Sequence, residues 1–305
     1  MVMISKRSIL LAKTETTYGV DPTPSESTDA FLGIDAVIKE TFEPAERPIQ
    51  QSSLSMRPSL RGKRFAEIKF KLELQGSGTA GTAPRHGRLL EACGLSETIV
   101  PSTSVTYKPK SSSIESVTIY LYMDGRLHKV TGAVGDFVLT AEAGNTGIYD
   151  FTFNGLYNAP TVVALPSATY ESSTPVVIKN QTFSYNSKTT LIVNKFVLSS
   201  SNEVSQRPSL SSSDGISGFI ITARKPTFTV DPEGQFETSY DFRNDSLTSQ
   251  RALSLTLGSI ATLSIPKTNI TDIEYSSRDG VTIETLSGEC AQDTGDDEFS
   301  LVFTG

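Results

Sequence analysis

The strongest constraint on this chain is the two-residue alternation of apolar and polar side chains that recurs along most of its length. In Ala66–Gln75, Ile68, Phe70, Leu72 and Leu74 alternate with Lys69, Lys71, Glu73 and Gln75. That pattern turns one face to a core and the other to solvent or a neighbour. Val117, Ile119 and Leu121 alternate with Thr118, Tyr120 and Tyr122, and Asp124-Gly125 supplies a tight turn before Leu127–Val130. Asp136–Ala143 and Ile148–Phe153 are expected to form another hairpin, turning at Gly144-Asn145. Further strands are expected at Leu191–Leu198, Phe219–Ala223, Phe228–Val230, Phe236–Phe242, Leu253–Leu257, Ile260–Ile265, Val281–Leu286 and Phe299–Phe303. Helix punctuation is confined to Pro84–Cys93, with Thr82 or Ala83 as cap, Pro84 at the first helical position and Gly94 just past the end. The expected fold is mostly β: antiparallel sandwich or barrel domains with one or two short helices.

The chain also repeats itself. Ser55-Met-Arg57-Pro58-Ser59-Leu60 recurs 150 residues later as Ser205-Gln-Arg207-Pro208-Ser209-Leu210. Tyr149–Gly155 matches Phe299–Gly305 at the same displacement, and Asp-Gly turns at 124–125 and 279–280 precede the two closing strands. A duplication places one β domain in residues 1–160 and a second in 161–305, joined through the Pro- and Ser-bearing stretch Tyr157–Pro175. Two copies are too few for a solenoid but suit two equivalent positions in one ring.

Catalytic signatures are sparse. Gly76, Gly78 and Gly81 have the G-x-G-x-x-G spacing of a dinucleotide loop. However, the helix after them is short and leads to antiparallel hairpins, where a nucleotide fold needs a crossover to a parallel strand. His86, read as lying on the exposed side of the helix beside Arg85 and Arg88, and His128, on a hairpin strand, have no ligand-spaced Cys, His or carboxylate nearby. Cys93 and Cys290 are too few for a disulfide framework or a metal site; Cys93, at the end of an apolar helical turn, reads as a small buried hydrophobe, and a Cys93–Cys290 bridge would be unusual in the cytosol. No enzyme activity, metal or cofactor is expected.

Charge narrows the partners. With 34 acidic and 27 basic residues the net charge is −7, opposite in sign to the dense positive surface that grips nucleic acid. The apolar run Ile9–Ala12 is shorter than a signal-peptide core of about 7–15 residues and reads as a strand or arm of a protein that stays in the cytosol. Arg57, Arg61, Lys63 and Arg64 end a long loop that begins near Phe42. They either pair with carboxylates of another subunit or blunt a solvated strand edge. Asp293, Asp296, Asp297 and Glu298 lack the alternating ligands of a calcium loop and read as a turn or acidic surface. Facing a channel or interface, they would repel a polyanion.

Several segments carry a resemblance. They are Leu10-Leu-Ala-Lys-Thr-Glu-Thr-Thr-Tyr-Gly-Val-Asp-Pro22, Arg57–Leu60, Ala83-Pro84-Arg85 through Leu89-Leu-Glu-Ala-Cys-Gly94, Val105-Thr-Tyr107 with Pro109, and Tyr120–Gly135. Together they resemble the major tail proteins that build the tail tubes of long, non-contractile-tailed (siphovirus-type) phages. The resemblance spans roughly the first 155 residues and reaches the second half chiefly through the repeat. It implies a structural virion protein assembled in the host cytoplasm: sandwich domains joined into rings, an outer helix, and a long loop reaching the next ring. DNA would pass through the stacked rings during ejection without sequence-specific binding, and other tail proteins would close the tube ends. With a duplicated chain, three copies would give a pseudo-sixfold ring; with a single unit, six would be needed. The alternatives are another β-rich virion component, in a baseplate or as decoration, and a carbohydrate-binding β-sandwich, against which the absence of Trp counts.

Overall fold

The computed structural model describes residues 4, 6–236, 238–248 and 250–305. Among them, the first half contains β1 (Ser8–Thr14), β2 (Ala30–Phe31), β3 (Ile34–Ala45), β4 (Leu60–Glu73), α1 (Gly87–Ala92), β5 (Leu95–Val100), β6 (Ser104–Pro109), β7 (Val117–Met123), β8 (Arg126–Glu142) and β9 (Ile148–Tyr157). The chain continues with β10 (Thr161–Val162), β11 (Phe183–Tyr185), β12 (Val193–Ser199), β13 (Asn202–Pro208), β14 (Ile216–Arg224) and β15 (Thr227–Pro232). It ends with α2 (Phe242–Thr248), β16 (Arg251–Leu257), β17 (Ala261–Arg278), β18 (Val281–Ala291) and β19 (Ser300–Phe303).

The ladders are antiparallel, and β8 organises them. Its first half pairs with β7, from Met123↔Arg126 to Val117↔Ala133, and β7 carries β1 and then β2. Its last residues pair with β12, from Ser199↔Val138 to Lys195↔Glu142. The other edge of β8 holds β9, followed by β4 and β3. Beyond β12 the order is β15, β18 and β17; β17 also carries β16 and β19, and β19 pairs with β6. Hydrogen-bonded pairing thus links residues on either side of position 160 at β8–β12 and at β6–β19. The β13–β14 hairpin stands as a separate two-stranded ribbon.

The alternating residues explain the layers. Ile68, Phe70 and Leu72 of β4, Phe137 and Leu139 of β8, and Tyr149, Phe151 and Phe153 of β9 are buried in one cluster. Val105 and Tyr107 of β6, Leu263 and Ile265 of β17, and Leu301 and Phe303 of β19 belong to the same cluster. Aromatic contacts across it include Phe137–Phe299 and Tyr107–Phe303, with ring centroids 6.1 and 5.8 Å apart. Each such side chain contributes roughly 1.5–3 kcal/mol on burial, so this single cluster is the main term set against chain entropy.

Several local expectations need correction. The regular helix starts at Gly87, because the preceding residues form a separate turn: Gly87 N donates locally to Pro84 O at 2.9 Å, and Arg85 Nη1 reaches out to donate to Thr169 O at 2.7 Å. His86 is buried, not exposed, with its ring 5.0 Å from Tyr149 and 5.3 Å from Phe303. Burial pushes its pKa down to about 3. His128 is also buried, with Nδ1 2.9 Å from Glu40 Oε1. Among the described residues of Phe236–Phe242, the alternation does not form a strand. Asp241 Oδ1 accepts from Asn244 N at 2.9 Å and starts α2 instead. Leu127–Val130 and Asp136–Ala143 fall on one strand, β8, and Ile260–Ile265 is the start of the 18-residue β17.

Candidate functional site

The basic cluster lies on the β3–β4 hairpin, and the structure divides it. Strand β4 pairs on one edge with β9 and on the other with β3, whose outer edge meets no strand among the described residues; residues 46–59 form an exposed loop. Side chains alternate along β4, so neighbouring cations point to different surroundings. Arg64 faces inward: Nε donates to Asp214 Oδ1 at 2.7 Å, its backbone N donates to Asp214 O at 3.1 Å, and its guanidinium lies 5.4 Å from the Tyr157 ring centroid. Lys63 is half-buried, 3.9 Å from Glu43 and 3.5 Å from Gln206. Arg57 and Arg61 are exposed; Arg57 donates to Gln51 at 3.0 Å, and neither reaches a carboxylate among the described residues.

The second Arg-Pro-Ser-Leu, residues 207–210, forms the tip of the β13–β14 hairpin. That hairpin lies against the first. Phe65 meets Phe219 edge-on at 5.7 Å, and Val134, Ile216 and Phe219 form a small buried cluster flanked by Phe65 and Leu156. Tyr18 locks the arrangement. Its hydroxyl donates to Gly132 O at 2.8 Å and accepts from Phe219 N at 2.7 Å. Gly132 has φ +58°, and a Cβ there would lie 2.8 Å from the Tyr18 ring. The segment with the Thr-Glu-Thr-Thr-Tyr-Gly motif is therefore a clamp anchored by the buried Glu15 side chain, while the Tyr18 ring stays partly exposed. Glu15 accepts from Ser116 Oγ at 2.6 Å, Thr118 Oγ1 at 2.5 Å, and the backbone N–H groups of Gly19 and Gly132 at 2.7 Å each.

The acidic run, residues 293–298, connects β18 to β19 and is neutralised largely within the chain. Asp297 closes the loop on itself, accepting from Asp293 N at 2.9 Å and from Thr294 N and Oγ1 at 3.0 and 2.6 Å. These bonds, led by that from the Thr294 hydroxyl, hold its carboxyl far below the usual range. Asp296 accepts from Ser111 Oγ at 2.5 Å and pairs with Arg224, while Glu298 accepts from Arg224 Nε at 3.0 Å. Asp293 pairs with Lys267 at 2.6 Å. Among the described residues no group of three or more His, Cys, Asp or Glu side chains could hold a metal ion.

The glycine loop is crowded by its own chain. A Cβ on Gly76 would lie 2.5 Å from Gly305 O, and one on Gly81 would lie 2.3 Å from Ser102 N. Gly81 also has φ +70°. These glycines permit backbone-to-backbone packing, in space that a pyrophosphate would need. Cys93 and Cys290 are both free and buried. No helix among the described residues is long and apolar enough to cross a membrane.

One surface went unread in the sequence: the β17–β18 ribbon, where Asp272, Glu274 and Asp279 are exposed and form no ion pair among the described residues. The available signal was the mostly polar run Thr271–Arg278, exposed except at Ile273 and Arg278, beside an Asp-Gly turn. Asp279 and Gly280 both adopt positive φ there, as do Asp124 and Gly125 between β7 and β8.

Against family models, residues 5–290 match the family described as phage tail tube protein. That match spans nearly the whole chain, and the chain belongs to the phage tail tube protein family. It is thus a structural protein of the phage tail, located in the virion and of a kind that self-assembles into a tube. No curated protein matches the chain.

Proposed function

We propose that this chain builds the tube of a siphovirus-type tail as stacked rings around a channel, through which DNA passes during ejection. Residues 1–160 and 161–305 supply two ring positions each, so three chains make a pseudo-sixfold ring. The observation that carries this reading is the repeated order of elements. Each half has a strand (β1, β12), a hairpin with Arg-Pro-Ser-Leu at its tip (β3–β4, β13–β14), a short helix (α1, α2), an Asp-Gly turn between antiparallel strands, and a closing strand (β9, β19). The net charge of −7 suits a wall past which a polyanion slides without adhering. With its acidic run tied to Arg224 and Lys267, this effect rests on overall charge more than on residues 293–298. Arg57 and Arg61 are the exposed cations available for contact between rings, while Lys63 and Arg64 brace the hairpin from within. Other tail proteins close the tube ends, and assembly takes place in the host cytoplasm.

Negative-stain electron microscopy of the purified protein at rising concentration, with native mass of discrete species, tests the reading. Hollow rings of three chains are expected. Rings of six would remove the two-position argument, and a strict monomer at every concentration would favour a baseplate or decoration protein.

A further inference from the structure

Two hairpins leave the sheet past opposite ends of β8, each with charge that its own chain leaves unpaired. The β4–β9 ladder runs from Glu73↔Ile148 to Phe65↔Leu156, and β9 meets the start of β8 at Val130↔Tyr157. The 46–59 loop therefore lies beyond the N-terminal end of β8. On the other side, β12 meets the end of β8 at Lys195↔Glu142, Val193 faces Pro232 of β15, and β15 joins β18 at Val230↔Leu286. The turn of the β17–β18 ribbon, at Arg278↔Val281, therefore lies beyond the C-terminal end of β8.

Charge and exposure distinguish the two tips. The first offers Arg57 and Arg61 beside the exposed apolar side chains of Leu54, Met56 and Leu60. The second offers Asp272, Glu274 and Asp279 beside the exposed Tyr275 and Val281. Arg278, which could have neutralised them, turns back to Asp231 at 2.7 Å and Glu233 at 4.0 Å. Ile273 and Ile283 pack inward, but beyond them residues 274–277 and 279–282 are exposed, and a two-stranded end with so little burial gains little from its own packing, which leaves it as a contact surface.

We propose that Arg57 and Arg61 of one copy dock against Asp272, Glu274 and Asp279 of a second copy in the adjoining ring. This rests on the tube reading and adds the surface that receives the basic hairpin. Donor and acceptor patches differ, so the contact is heterologous and does not close; each ring presents an unfilled patch to the next. Opposite charges steer the encounter, and like-charged ends repel, so rings add with one polarity.

The test compares tube growth by light scattering and electron microscopy for wild type, R57E/R61E, D272K/E274K and the variant carrying all four changes, with circular dichroism to check folding. Each two-site variant should form rings but grow tubes at least tenfold more slowly, and the four-site variant should recover most of the rate. Wild-type growth should slow as salt rises from about 50 to 500 mM. Wild-type tubes with undiminished growth in both two-site variants would overturn the pairing and leave the tube reading standing. A wild-type chain that forms neither rings nor tubes would overturn both.

Discussion

Arg64 of β4 and Asp214 of the loop before β14, 150 residues apart in the chain, bond to each other through side chain and backbone. The repeated segments thus lie side by side within one chain, and the ion pair holds the β3–β4 hairpin at a fixed angle. Both groups are partly exposed, so their coupling should be modest. A double-mutant cycle with R64A and D214A, read by urea denaturation, should give about 1 kcal/mol of coupling. Strict additivity would mean that packing of Phe65 on Phe219 alone sets the hairpin.

Tyr18→Phe should cost about 2 kcal/mol, because it strands the Phe219 N–H and the Gly132 carbonyl in a half-buried site. The loss should concentrate at the hairpins. Amide exchange at Phe219 should accelerate more than at β9 positions such as Phe151, and uniform acceleration would argue against a local clamp.

Glu91 gives a pH-dependent handle. Burial, with the nearby Glu97 and Glu115 charges, pushes its carboxyl from 4.5 up to about 7. A carboxyl raised in the folded state binds its proton more tightly folded than unfolded, so its contribution is intact below about pH 4.5. It is lost as pH rises toward 7. Glu91→Gln should therefore be nearly neutral at pH 5 and stabilising by about 1 kcal/mol at pH 8, allowing for solvent screening. Equal urea midpoints of variant and wild type at both pH values would contradict the shift.

The glycines differ in what they tolerate. Gly144 has φ +83° with open space around it, whereas Gly81 has φ +70° with the Val100–Ser102 backbone against its Cα. Gly144→Ala should cost about 1 kcal/mol from backbone strain alone, and Gly81→Ala at least twice that. Similar melting temperatures for the two variants would remove the packing role assigned to Gly81.

Strands with one buried face were the legible part of the fold. Ile68, Phe70, Leu72 and Leu74 mark β4 because each alternate residue meets the core. Residues 271–278 of β17 carry little such contrast, with Ile273 alone packing on the core, so alternation marks no strand in this part of the ribbon. In α2, spacing misled: Phe236, Tyr240 and Phe242 fit a strand, but the local Asp241–Asn244 cap decided for a helix. For His86, basic neighbours suggested solvent, yet Arg85 and Arg88 spend their charge on Thr169 O and Asp29. Composition also could not separate Arg61 from Arg64, because the carboxylate that pairs with Arg64 lies 150 residues away.

The two thiols have a consequence for a particle that must persist outside a cell. Oxidation and disulfide exchange proceed through the thiolate, and burial pushes Cys290 up to about 12 and Cys93 well above its ordinary value. Neither sulfur offers air or a peroxide a reactive anion while the chain stays folded. The two thiols are therefore silent toward oxidants in the folded protein, and the onset of alkylation at either cysteine would time the moment its core opens.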